Sequence, residues 1–259
     1  PDRMILDDFG VDPRSSMILL AMRPALLITM IGTLLVGPTL AQEHSFDPTS
    51  VYRRESIHGF TVLINPEVSI HKREAAEMRK ELDSQLAAIV AAMLADRLPA
   101  LRKVWIWVEW EKQKNGAAEF HPSLQWLKSH DYNPEKAGHV ELSNARHFVD
   151  WSRTAQPWML LHEFAHAYHH LVLGDDCKAI EAAYRHAVAA RLYESVPYCG
   201  GGRQKAYALT NSKEYFAELS EAYFGRNDFY PFVRSDLEKH DSQGYQLMER
   251  IWGKLPGGK

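Results

Sequence analysis

Leu161-His-Glu-Phe-Ala-His-Ala-Tyr-His-His170 carries His162, Glu163 and His166 in the order H-E-x-x-H. Residues four apart on a helix lie on one face, one turn apart, so both imidazoles can address a single atom. Catalytic zinc uses such donors: two neutral nitrogens, a third protein ligand from elsewhere, and a position left open to water. Glu163 follows His162 and can act on that water as general base. Pro157 suits a first helical turn, and neither Gly nor Pro interrupts Trp158 to Val172, so the stretch predicts a helix. His169 and His170 read as ordinary polar residues of that helix. Because the chain holds thirteen histidines, a third ligand has to decide whether the motif means a metal.

The surrounding composition is globular, with 46% hydrophobic and 24% charged residues over 259 positions, ample for a core. Residues 1–16 are polar and patternless, and they read as lying upstream of the true start. A secretory signal then runs over residues 17–41, starting at Met17 or Met22. It comprises Arg23, the apolar run Ala25 to Val36, and Thr39-Leu40-Ala41 as a cleavage site before Gln42. The apolar run, about a dozen residues, is short for a membrane span; an uncleaved anchor is the alternative. No Cys follows it to accept a lipid. A secreted or periplasmic monomer is expected, with no stable membrane insertion after cleavage.

Without the leader, 27 basic and 29 acidic side chains remain, so nothing points to nucleic acid or an anionic membrane as partner. Cys177 and Cys199 are the two cysteines, and in an exported chain they read as one disulfide.

Working outward from the motif, Gly59 to Ile64 predicts a strand and residues 72–97 a helix. Met78, Leu82, Leu86, Ile89 and Met93 form that helix's apolar stripe. Val104 to Trp110 is rich in β-branched and aromatic residues and predicts a buried strand. Residues 111–138 read as loop, His121 and His130 included. Gly138 to Ser143 predicts a short strand, by analogy the sheet edge against which a zinc protease lays an extended peptide. Beyond the motif, helices are expected over Cys177 to Tyr193, Ser212 to Phe224 and Ser242 to Trp252, with Gly200-Gly-Gly202 as a joint. The expectation is one α+β domain, residues 42–259, with a mixed first half and a helical second half.

The extended pattern H-E-x-x-H-x-x-G-x-x-H fails here, because position 169 is His and position 172 is Val. The other common arrangement takes a glutamate from a later helix. Glu181, Glu194, Glu214, Glu218 and Glu221 are the candidates. Glu214 and Glu218 share a helix face, so one can bind metal while the other orients a ligating histidine. An N-cap pair of Asn211 with Glu214 is the structural alternative, and Glu218 and Glu221 could be solvated carboxylates.

Tyr207-Ala-Leu-Thr-Asn-Ser-Lys-Glu-Tyr-Phe-Ala-Glu218 resembles the C-terminal motif of the catalytic domain of anthrax lethal factor, which also follows an H-E-x-x-H helix. The likeness spans roughly residues 157–225 and implies a zincin-like metalloprotease fold with a glutamate third ligand. By position it makes His162, His166 and Glu214 the ligands of one Zn2+ and Glu163 the general base. Tyr207 becomes a hydroxyl donor to the oxyanion or leaving group, and Glu218 an outer partner of a ligand. The Cys-containing segment between the motifs departs from the family, upstream of residue 139 only the plan is alike, and no substrate carries over. The expected activity is a secreted zinc endopeptidase acting on a peptide or protein. A non-catalytic zinc-binding scaffold and a zinc hydrolase of cell-wall peptides are the alternatives.

Overall fold

The computed structural model describes residues 45–255. The leader read over residues 17–41 and the stretch before it lie outside the described residues. The described chain begins with a hairpin that the sequence does not announce. Strand β1 (Arg53–Ile57) is mostly exposed and polar, and it pairs antiparallel with β2 (Phe60–Ile64). His58 and Gly59 both have positive φ, as a tight two-residue hairpin turn demands. An edge strand thus comes from a polar stretch in which the sequence shows no strand pattern.

Helix α1 (Pro66–Ile70) is capped by Asn65, whose side chain accepts from the Glu67 N–H. Helix α2 (Lys72–Ala92) buries the expected stripe and stops before residue 97, and the short α3 (Leu98–Leu101) follows. Next come β3 (Ile106–Val108), β4 (Glu119–Phe120), α4 (Leu124–Ser129) and β5 (Val140–Leu142). The five strands order as β1-β2-β3-β5-β4, with β2, β3 and β5 parallel and the two edge strands antiparallel. The strand over Gly138 to Ser143 is thus interior. The edge on that side is β4, in a segment read as loop.

Alternation gives the sheet two unlike faces. Val62, Ile64, Ile106, Val108, Val140 and Leu142 point into the main apolar core. Leu63, Trp107 and Glu141 occupy the other face in one cross-strand row.

Six helices complete the described chain: α5 (Ala145–Thr154), α6 (Met159–Tyr168), α7 (Lys178–Ala189), α8 (Ser212–Phe224), α9 (Arg234–His240) and α10 (Ser242–Trp252). A small hairpin of β6 (Val196–Pro197) and β7 (Arg203–Gln204) sits between α7 and α8. The architecture is mixed α+β with a helical second half, and among the described residues no helix is long and apolar enough to cross a membrane.

The expected disulfide is absent: Cys177 and Cys199 are both free. Cys177 precedes α7 and packs against the apolar core. Cys199 is exposed, its thiol near the Ala155 carbonyl at the end of α5 and its N–H bonded to the Asp228 carbonyl. The two sulfurs are held in separate surroundings by these local contacts.

Candidate metal centre

Helix α6 is apolar on nearly every side, with Leu160, Leu161, Phe164, Ala165 and Ala167 fully buried, and it packs most extensively against α8. Burial on this scale fixes its rotation, so the three polar residues of its motif face α8 and the sheet edge. Beyond Tyr168 the helix widens into a π turn, His169–Leu173, and ends at Gly174 with φ near 80°.

Helix α8 begins at Asn211, whose side-chain oxygen accepts from the N–H groups of Lys213 and Glu214 at 2.9 Å each. This is an N-cap, yet the Glu214 carboxylate does not close a capping box. Its Oε2 lies 3.0 Å from His162 Nε2 and 3.2 Å from His166 Nε2. Two imidazole nitrogens and one carboxylate oxygen therefore converge, mutually within 4.8 Å. The set, two nitrogens at i and i+4 with one carboxylate oxygen, fits a zinc site with room for a non-protein ligand.

Burial works against charge on His162, but its hydrogen bonds to Glu214 and Glu221 outweigh that and hold its imidazole well above the usual range. Burial also opposes ionisation of Glu214, and the charges and hydrogen bonds of His166 and His162 overcome it, keeping the carboxyl well below the ordinary range. The pocket thus favours negative charge on the carboxylate and positive charge beside it, the balance a divalent cation would satisfy.

His162 Nδ1 lies 2.7 Å from Glu221 Oε1 and 3.8 Å from Glu218 Oε1. Glu218 instead accepts from Asn227 Nδ2 at 3.1 Å. The direct partner of His162 is therefore Glu221, with Glu218 a step further out. Neither is a solvated carboxylate, since both are no more than 1% exposed. Glu214, Glu218 and Glu221 fall at i, i+4 and i+7 of one helix, a stripe that the sequence displays. Reading only the first pair left Glu221 outside it.

Tyr207 stands on a short 3-10 turn, Tyr207–Leu209, just before the α8 cap, and its ring centre is 6.4 Å from that of His162. Glu163 is buried on α6, next in sequence to His162. The remaining candidates lie apart: Glu181 pairs with Arg185 on α7, and Glu194 is exposed. His170 bonds Asp175. His169 is 3% exposed, and neither of its ring nitrogens has a partner among the described residues.

The outer face of the sheet also departs from the loop reading of residues 111–138. His121 is buried, with Nε2 2.5 Å from Glu141 Oε2, and Lys136 reaches both Glu109 and Glu141 at 2.6 Å. Tyr52 donates to Glu109 at 2.6 Å. Burial, with help from the charges on Glu141 and Glu163, pushes Glu119 up to about 7 despite the opposing effect of His121. No local pattern marks this network, because its members come from five separate segments. Compared with known proteins, the chain matches no family profile, no curated protein and no solved structure.

Proposed function

We propose that the chain is a zinc-dependent endopeptidase with a zincin-like fold, exported by the leader read in its sequence. One observation carries this reading: the Nε2 atoms of His162 and His166 meet on a single oxygen of Glu214. A zinc ion held by these three side chains would supply an acidified water and a polarised peptide carbonyl. Glu163 accepts a proton at its carboxylate and returns it to the departing amine. Tyr207 offers its hydroxyl to the oxygen that gains charge. Glu221 takes the Nδ1–H of His162, which makes Nε2, the nitrogen turned to Glu214, the one that would bind the metal. Strand β4, an antiparallel edge, offers backbone groups along which an extended peptide can lie.

Three protein ligands flanked by a carboxylate and a phenol suit catalysis better than a closed structural site, which takes four and favours Cys. The test is metal content together with cleavage of a peptide library. The wild type is expected to bind zinc and cleave; Glu163→Gln keeps zinc and loses cleavage; Glu214→Ala loses both. Zinc retained in full by Glu214→Ala would overturn the ligand set. A zinc-loaded wild type inert on every peptide would leave a binding protein in its place.

A further inference from the structure

The outer face of the sheet holds a second group of donors that the site between α6 and α8 does not use. Glu119 on β4 and Glu141 on β5 are direct partners in the antiparallel ladder, so two carboxylates leave the same face at adjacent positions. His121, immediately after β4, brings Nε2 to 2.5 Å from Glu141 Oε2. One donor atom from each of the three residues lies within 4.8 Å of the others. Glu141 is fully buried, His121 is 3% exposed and Glu119 is partly buried.

The carboxyl groups here outnumber the one ammonium among them. Lys136 neutralises Glu109 and engages Glu141 through Oε1, at 2.6 Å from each. Counting Glu109, Glu119 and Glu141, three carboxyl groups face one ammonium and the imidazole of His121, and burial pushes the Glu119 carboxyl up to about 7, where a cation would compete with its proton. Like charges directly opposed across a ladder destabilise it, and buried charge requires a partner. Lys136 holds Glu141 by Oε1, which leaves Oε2 turned to His121 and toward Glu119 across the ladder. A divalent cation at that point, displacing the Glu119 proton and keeping His121 neutral, would bring the group to zero net charge.

The donors also select the ion. An imidazole nitrogen disfavours calcium and magnesium, which take oxygen ligands. Histidine with two carboxylates suits zinc and its first-row neighbours. Outer partners hold the donors in place: the His121 ring stacks near Trp126 at 6.3 Å, and Gln113 Nε2 donates to Glu119 Oε1 at 2.5 Å. We propose that Glu119, His121 and Glu141 form a second site for a first-row divalent cation, zinc by preference, which clamps the edge strand β4 onto β5. It shares no residue with the centre formed by His162, His166 and Glu214.

The test uses the full chain, stripped with a chelator, loaded with Zn2+ alone, desalted and counted by mass spectrometry of the metal. Two equivalents are expected in the wild type, one in Glu119→Gln, one in Glu214→Ala and none in the combined variant. Stripping should also lower the melting temperature further in the wild type than in Glu119→Gln. His121→Phe, which keeps a ring in the same place, serves as the second variant should Glu119→Gln fail to fold. Equal zinc in wild type and in the folded variant overturns the proposal. A single equivalent lost with Glu119→Gln but kept with Glu214→Ala upholds this site and sinks the other; the reverse pattern sinks this one alone.

Discussion

His162 is held from both ends, by Glu214 at Nε2 and by Glu221 at Nδ1. An outer carboxylate of this kind fixes the tautomer and raises the basicity of the ligating nitrogen, and its loss typically costs ~10–100-fold in metal affinity. Glu221→Gln is therefore expected to weaken zinc binding by about that factor, read by competition with a chromogenic chelator. Glu218→Gln, acting from 3.8 Å, should change it less. If Glu218→Gln proves the more damaging, Glu221 is not the positioning residue. His169 makes the opposite case. Burial holds it down to about 4, so it stays neutral in the folded chain while the unfolded chain protonates it near 6.5. The unfolded state then binds more protons between those values, and stability falls as pH drops from about 6.5 toward 4. His169→Leu removes both the titration and two unsatisfied nitrogens. Melting curves across that pH range should show the variant gaining on the wild type as acidity rises; parallel curves would refute the assignment. Spacing set His162 apart as a motif residue, but it gave no sign that His169 would be buried. The partners that each meets, two carboxylates for one and none among the described residues for the other, are decided by packing.

At the scale of elements, α8 carries the site because its first turn is pinned. Asn211 satisfies two of the N–H groups that any helix start leaves open, one of them that of Glu214. Asn211→Ala should cost ~1 kcal/mol by chemical denaturation and should also weaken zinc binding, since Glu214 sits within that turn. Unchanged zinc affinity would show that packing alone positions Glu214. This cap is the reason α8 was legible to within a residue: Asn211, the apolar spacing and the Glu stripe all point to one start and one face. Helices α2, α6 and α10 were legible through periodicity or through an uninterrupted run. By contrast, β4 has two residues and β1 is polar and largely exposed. Neither is long or apolar enough to leave a period, and each exists only through the strand it pairs with. Helices α5 and α9 were missed as well, the latter a seven-residue helix beginning without a side-chain cap.

Across the described residues, the sheet separates two kinds of interior. One face meets α6 and enters an aliphatic and aromatic core that also takes in residues of α2 and α5; the other closes over Trp107, Tyr52 and a set of ionised side chains. The first kind is what hydrophobic patterning reports, which is why the α+β class and the helical second half could be read directly. The second kind is invisible to it, because Glu109, Lys136 and Glu141 look like surface residues until the fold brings them together. Lys136 is 2% exposed and bridges Glu109 and Glu141 while its ammonium lies 5.6 Å from the centre of the Trp107 ring. Burial pulls its proton off, but the two carboxylates prevail and raise it above the ordinary lysine range, so the ion pair persists in the folded chain. Removing one member of such a buried group leaves charge without compensation, at a cost of ~3–5 kcal/mol. Lys136→Met should therefore unfold at markedly lower denaturant, with the proposed zinc site on α6 and α8 still able to load in whatever fraction stays folded. Replacing Glu109 and Glu141 by Gln in the same chain removes the orphaned charges, and it should restore a substantial part of the loss. If Lys136→Met alone were neutral, the outer face would be open to water, and its carboxylates would be surface groups rather than a second core.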